Sequence, residues 1–274
     1  MLLKDRLNKA VEIAEEAGRR IIEARQNSNF GQRYKDGSEL VTDVDVAVDT
    51  YISGALDQYF GDEARLSEEL MPDKDAITDS RALWIIDPID GTVNFAHGQR
   101  HVAVSIAWAE KGKVQIGVVH APFLGETFTA IRDEGAWCNN EAIAPRECKH
   151  IAEALVGTGF PYDRDARLPL LRRLRAVLEN CRDVRRNGSA ALDLCDVACG
   201  RLDAYYESTS PWDFAAGLLI AREAGARTGH LYPCPEGIPK ELYGENLVTS
   251  APAIYSELAS LLEKADRNIF DYEL

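Results

Sequence analysis

The sequence predicts a mixed α and β protein in two halves, an α+β first half and an α/β second half. Apolar residues recur at helical spacing in two stretches before residue 60. Branched and aromatic runs broken by tight turns fill residues 102–131. After residue 150 short strand-like and helical segments alternate.

Taken in order, Leu3, Leu7, Ala10, Val11, Ala14, Ala17, Gly18, Ile21 and Ile22 stand three and four apart with charges between them, an amphipathic helix ending near Ala24. Gln26 to Ser38 is polar and contains Gly31 and Gly37, so it reads as a loop. A second helix starts near Thr42 or Asp43 and buries Val44, Val48, Tyr51, Ile52, Ala55 and Leu56. Asp43 and Asp45 fall in its first turn, where a carboxylate complements the helix dipole. Ala64–Leu66 is a candidate strand ahead of Glu68 and Glu69, a pair that on a surface loop would be solvated charge.

The centre of the chain is Trp84-Ile85-Ile86-Asp87-Pro88-Ile89-Asp90-Gly91-Thr92-Val93-Asn94-Phe95. Leu83 to Ile86 reads as a buried strand ending on Asp87. Pro88 biases Asp87 towards extended backbone and Gly91 permits positive φ, which places Asp87 and Asp90 on one tight turn. Two carboxylates in one small space repel unless a cation lies between them, and oxygen ligands suit Mg²⁺, Mn²⁺ or Ca²⁺. Thr92 opens a short helix, where it would serve equally as a cap.

Strands at Val102–Ala109, Val114–His120 and Glu126–Ile131, with a hairpin turn at Glu110–Lys113, form an antiparallel sheet. Gly135 to Asn140 reads as a turn, and the charged stretch Pro145–His150 marks a boundary between units 1–148 and 149–274. In the second unit Leu155–Phe160, Val184–Arg186, Ala204–Glu207 and Asn246–Ser250 are strand-like; Ala166–Leu178, Ala190–Ala198, Asp213–Ala224 and Pro252–Leu262 are helical. Gly188-Ser189-Ala190 reads as a helix start, and Asp213 as an N-cap.

The chain has 274 residues, 46% of them hydrophobic, enough for a sizeable core. Against 45 acidic residues stand 31 basic ones, a net charge of −14 that argues against a general nucleic-acid grip. An acidic protein that handles phosphate needs metal. The six cysteines include no Cys-x-x-Cys pair and read as reduced thiols of a cytoplasmic protein, with zinc binding at Cys195 and Cys199 as the alternative. No apolar run approaches a membrane span, the N-terminus lacks a signal-peptide core, and no Gly-rich nucleotide loop is present. The five histidines read as structural or solvated.

The run from Trp84 to Phe95 resembles the signature of the inositol monophosphatase family of Mg²⁺-dependent, Li⁺-sensitive phosphatases. Trp212-Asp213-Phe214-Ala215-Ala216-Gly217 running on to Glu223-Ala224-Gly225, and Ser67-Glu68-Glu69, resemble two further family elements in family order. The resemblance implies a layered α-β-α-β-α sandwich assembled as a homodimer. It implies metal ligands at Glu68, Asp87, the Ile89 carbonyl, Asp90 and Asp213, for up to about three Mg²⁺ (or Mn²⁺), with Li⁺ and Ca²⁺ as inhibitors. Thr92 with Asp45 would activate the attacking water, with Glu68 taking part. Gly91 and Thr92 would hold phosphate, and Gly188, Ser189, Ala190 and Glu207 the rest of the substrate. Glu69 and Lys35 match supporting positions of the family. Departures are Ser67 for the usual glycine, Val93 for a second threonine, and a stretch from Glu207 to Asp213 one residue shorter.

The implied reaction is hydrolysis of a small phosphate monoester, inositol 1-phosphate first. Fructose 1,6-bisphosphate, histidinol phosphate and 3′-phosphoadenosine 5′-phosphate are alternatives, although Asn94-Phe95 differs from the Lys-Glu-Phe typical of the last branch. A role as a binding partner in a transcription complex is the alternative of another class.

Overall fold

A computed structural model describes residues 2–27, 30–35, 39–72, 74–79, 82–160 and 167–267. Helix α1 (Leu3–Asn27) and helix α2 (Asp43–Phe60) lie where the apolar spacing puts them, α1 turning Leu7, Ala10, Ile13, Ala14, Ala17 and Ile21 inward. Between them the structure corrects the reading of Gln26–Ser38 as loop alone. Strand β1 (Gln32–Lys35) pairs antiparallel with β2 (Glu39–Thr42). The polar hairpin has no apolar period to announce it. Residues 28–29 and 36–38 of that stretch lie outside the described residues.

Strand β3 (Ala64–Ser67), the short helix α3 (Ala76–Asp79), strand β4 (Ala82–Asp90) and the short helix α4 (Thr92–Ala96) follow. Strands β5 (Ala103–Glu110), β6 (Lys113–Ala121) and β7 (Glu126–Ile131) form the expected antiparallel meander. It continues into β8 (Gly135–Cys138) and β9 (Glu141–Ala142), so the expected turn at Gly135–Asn140 is in large part a strand, next to the edge strand β9. Glycine and asparagine mask such strands because edge pairing tolerates residues with low strand preference. The seven strands lie in the order β3-β4-β5-β6-β7-β8-β9, with only β3 and β4 parallel.

The second half supplies β10 (Leu155–Thr158), helix α5 (Arg167–Asn180), β11 (Asp183–Arg185), helix α6 (Ala190–Ala198), β12 (Ala204–Glu207), helix α7 (Pro211–Glu223), β13 (Arg227–His230), β14 (Leu247–Ser250) and helix α8 (Tyr255–Asp266). Ala166, expected to open α5, lies outside the described residues. The five strands take the order β11-β10-β12-β14-β13, parallel among the first three and antiparallel beyond.

Three apolar clusters show how the layers stack. One joins α1 and α2 to one face of the seven-stranded sheet through Ile52, Trp84, Ile86, Ile106 and Val118. A second holds α6 and α7 against the opposite face and against the five-stranded sheet through Ile85, Leu192, Phe214 and Tyr205. The third seats α5 and α8 on the outer face of that sheet through Val177, Val248 and Leu262. The order is α-β-α-β-α, and the interior pair α6 and α7 reads as apolar nearly all round because both faces are covered. Gly117 and Gly217 lie on these contacts. Among the described residues no helix is long and apolar enough to cross a membrane, and all six cysteines are free thiols.

Candidate active site

Strand period alone would send Asp87 and Asp90 to opposite faces of the sheet, since side chains three apart in a strand alternate. The structure resolves this with an irregularity. Strand β4 does not stop at Asp87 as the sequence suggests but runs on to Asp90, pairing Asp87 with Ser105 and Asp90 with Ala103, so one extra residue is accommodated on β4. Pro88 cannot donate to the ladder, and the Ile89 amide instead donates to Asp87 Oδ1 at 2.9 Å. The bulge shifts the phase by one residue and brings both carboxylates into one cleft. Gly91 then turns the chain at φ 96°, and a Cβ there would stand 2.9 Å from the His101 carbonyl oxygen and 3.2 Å from that of Gly188.

The third carboxylate comes from the start of α7. Pro211 occupies the first turn, Ser210 is the N-cap, and Asp213 folds back so that Oδ2 accepts the Ser210 amide at 2.8 Å and the Thr209 hydroxyl. Asp213 therefore is not the N-cap expected but the third residue of a capping box, a position that holds a carboxylate just as rigidly. One carboxylate oxygen from each of Asp87, Asp90 and Asp213 lies within 4.8 Å of the others. Asp90 Oδ2 also accepts the Ser189 hydroxyl at 2.6 Å and the Ala191 amide at 2.7 Å, which ties β4 to the start of α6. Burial, followed by repulsion from Asp213, lifts Asp90 to about 7. Burial and then the charges of Glu68, Asp90 and Asp213 push Asp87 up as well. Two buried carboxylates and one half-buried one that resist ionising together form a donor set that a divalent cation fits.

Glu68 lines the same cleft but stands outside that close triad. Ser67 sits at the end of β3, and its Oγ accepts the Met71 amide at 3.1 Å, closing the turn that carries Glu68. Asp49 of α2, buried, accepts the amides of Glu69 and Leu70 at 3.2 and 3.1 Å. The backbone of Glu69 is thus held by Asp49, while its side chain does not line the cleft. Lys35 is on β1, in register with Glu39.

Thr92 closes the near wall. Its hydroxyl is 2.8 Å from Asp45 Oδ1 and 3.1 Å from the Ile89 carbonyl oxygen. Asp45, fully buried, is the capping-box residue of α2, where Oδ2 accepts the Thr42 amide at 2.8 Å and the Thr42 hydroxyl. Burial raises its pKa, and the donors from Thr42 and Thr92 oppose that rise. With its proton given to Asp45, Thr92 turns oxygen lone pairs towards the cleft.

The far wall belongs to the second half. Asn94 donates from Nδ2 to the carbonyl oxygens of His101 and Asn187, 2.8 Å each, and Asn187 donates to Asp193 Oδ1 at 2.7 Å. These bonds fasten the Gly91–Thr92 turn to Gly188, Ser189 and Ala190. Glu207 accepts the Tyr205 hydroxyl and lies against Gly159, whose missing Cβ leaves it room. Burial raises Glu207 to about 8. The cleft encloses about 460 Å³.

Residues 3–267 match the inositol monophosphatase family. The chain belongs to the inositol monophosphatase family. A relative named Nus factor SuhB from Pasteurella multocida is 36% identical over 267 residues, covering 94% of this chain and 95% of its own. An inositol monophosphatase from Dictyostelium discoideum is 33% identical and covers 96% and 97%. The solved structure of the Thermotoga maritima inositol monophosphatase superposes with a TM-score of 0.84 at 30% identity, covering 97% of this chain and 99% of that one. This family member is a phosphatase, and its fold is the layered sandwich of its relatives.

Several residues that line or support this phosphatase's cleft carry no signal in the sequence. Asp49 lies inside a helix, where an aspartate is ordinarily solvated; only its spacing of four from Asp45 hints at a shared face. Asn94 and Asn187 look like turn residues. Glu39 lines the cleft from a strand not foreseen, and Arg186 and Asp193 line it beside the expected Gly188–Ala190 segment.

Proposed function

We propose that this phosphatase hydrolyses a small phosphate monoester, inositol 1-phosphate first, with Mg²⁺ held by Glu68, Asp87, Asp90, Asp213 and the Ile89 carbonyl. The observation that carries the reading is the meeting of Asp87, Asp90 and Asp213 within 4.8 Å beside Thr92. When bound, the divalent cations would supply Lewis acidity and neutralise the charge of carboxylates and phosphate.

The chain's own residues do the rest. Thr92 Oγ, its proton directed to Asp45, accepts a hydrogen bond from the attacking water and aligns it. Asp45 raises the electron density on that oxygen, and the Thr42 donors favour its carboxylate form against the upward push of burial. The amides of Gly91 and Thr92 receive phosphate oxygens, while Gly188, Ser189, Ala190 and Glu207 enclose the alcohol portion. Glu207 next to Gly159 suits a hydroxylated leaving group, which favours a polyol over an apolar ester. Free thiols suit a reducing, cytoplasmic compartment, and the family resemblance adds a homodimeric assembly.

The test is phosphate release from inositol 1-phosphate, fructose 1,6-bisphosphate, histidinol phosphate and 3′-phosphoadenosine 5′-phosphate, with Mg²⁺, with chelator and with Li⁺. Mg²⁺-dependent release inhibited by Li⁺ is expected. Equal release in chelator would overturn the reading.

A second reading rests on the SuhB relatives, named Nus factors: the chain would also join a transcription complex. An Asp90→Asn variant separates the two, because a scaffold keeps its partners after turnover is gone.

A further inference from the structure

Seven carboxylates line the cleft, and among the described lining residues Arg186 is the one cation. The metal cluster accounts for the scissile phosphate without it. Several other arginines are paired: Arg185 with Asp183 at 2.7 Å, Arg173 with Asp266 at 2.6 Å, Arg146 with Asp203 at 2.7 Å. Arg186 makes no direct hydrogen bond or ion pair with a described residue, although its charge is felt by Glu207 on the same wall, and it is exposed at the cleft. Its Nη1 lies 2.5 Å from where a Cβ on Gly188 would be, and Gly188 at φ 90° carries none. The Gly188 carbonyl in turn stands 3.2 Å from the corresponding point on Gly91. The guanidinium is thus one residue's breadth from the phosphate turn, on the wall that holds the alcohol portion.

A neutral polyol gains little from a bare guanidinium. A second anion brought among seven carboxylates would be repelled unless a cation answered it, and a guanidinium's fork matches carboxylate and phosphate oxygens. We propose that Arg186 reads a second anionic group on the substrate, a carboxylate or a further phosphate, a few bonds from the ester that is cleaved. This rests on the phosphatase reading above and, among the esters named there, ranks the doubly anionic fructose 1,6-bisphosphate and 3′-phosphoadenosine 5′-phosphate ahead of inositol 1-phosphate. Arg186 is a specificity-determining residue; the bond-breaking chemistry belongs to the metal end.

Two matched pairs test it at fixed free Mg²⁺: glucose 1-phosphate against glucose 1,6-bisphosphate, and glycerol 3-phosphate against 3-phosphoglycerate. The quantity read is the ratio of kcat/KM, charged member over neutral member, in the wild type and in Arg186→Ala and Arg186→Lys. The ratio should fall roughly ten-fold or more in Arg186→Ala, mostly through KM, and by less in Arg186→Lys, which keeps the charge and loses the fork. Loss in the glucose pair alone names a second phosphate, loss in the glycerol pair alone a carboxylate. Turnover with an unchanged ratio in both variants overturns the role of Arg186 and leaves the phosphatase reading standing. No Mg²⁺-dependent turnover of any ester by the wild type would overturn both. An equal unfolding midpoint for wild type and variants separates a lost contact from a lost fold.

Discussion

Helices α2 and α7 open with the same device, a hydroxyl residue at the N-cap and an aspartate three residues on that folds back to accept the cap's amide. The surroundings then part them. Asp45 faces hydroxyls and an amide, from Thr42 and Thr92, and among the described residues none of its hydrogen bonds involves another carboxylate. Asp213 faces Asp87 and Asp90. On the reading proposed above, one local motif would yield an orienting base in one place and a metal ligand in the other. A capping box fixes where a carboxylate stands; its neighbours decide what it does.

The contrast can be broken most severely at Asp213. Asp213→Asn keeps an acceptor for the cap but removes a charge from the cluster, and the loss of several kcal/mol of charge stabilisation should lower kcat/KM on the order of 10³-fold. Raising Mg²⁺ should restore part of it. If Mg²⁺ titration of the variant follows the wild-type curve, Asp213 is not a ligand. Asp45→Asn should cost roughly 10²-fold in kcat, as expected for lost proton handling, with the Mg²⁺ requirement unchanged. A shifted Mg²⁺ requirement there would mean that the two capping boxes do the same work.

Metal removal sharpens the contrast through pH. Asp90 at about 7 and Glu207 at about 8 are raised above their ordinary values by burial first. The folded, metal-free protein therefore holds more protons than the unfolded chain across this range, and its stability falls as pH rises. In chelator the unfolding midpoint should drop between about pH 5 and pH 8.5, with Mg²⁺ flattening the slope. A midpoint that climbs with pH in chelator would contradict the crowding of the carboxylates. The smallest effect belongs to the caps: Ser210→Ala should lower stability by about 1 kcal/mol in denaturant unfolding, since the Thr209 hydroxyl still holds Asp213.

The aspartate turn could be read from sequence because Pro88 and Gly91 punctuate a buried apolar run, and few other physical roles fit two carboxylates there. The bulge that brings them together could not, since its phase shift depends on which residues of β5 pair with β4. The long helices and the central meander announce themselves by period. Strands β1, β8 and β13 do not, because Gln32–Lys35, Gly135–Cys138 and Arg227–His230 lack an alternating apolar face. Asp49 and Asn94 escape notice for another reason. Each holds backbone supplied by a remote segment, and nothing in its own neighbourhood reveals the partner.

The sandwiching of α6 and α7 between the two sheets bears on the order of events in folding. Asp87 and Asp90 are local to one strand, but Asp213 reaches them only when the middle layer has docked on the seven-stranded sheet. If that docking follows the rate-limiting barrier, a cation held by the three carboxylates joins a contact made late. Mg²⁺ should slow unfolding several-fold and leave the refolding rate nearly untouched, so the ion would act as a latch that resists opening and gives no help in finding the native state.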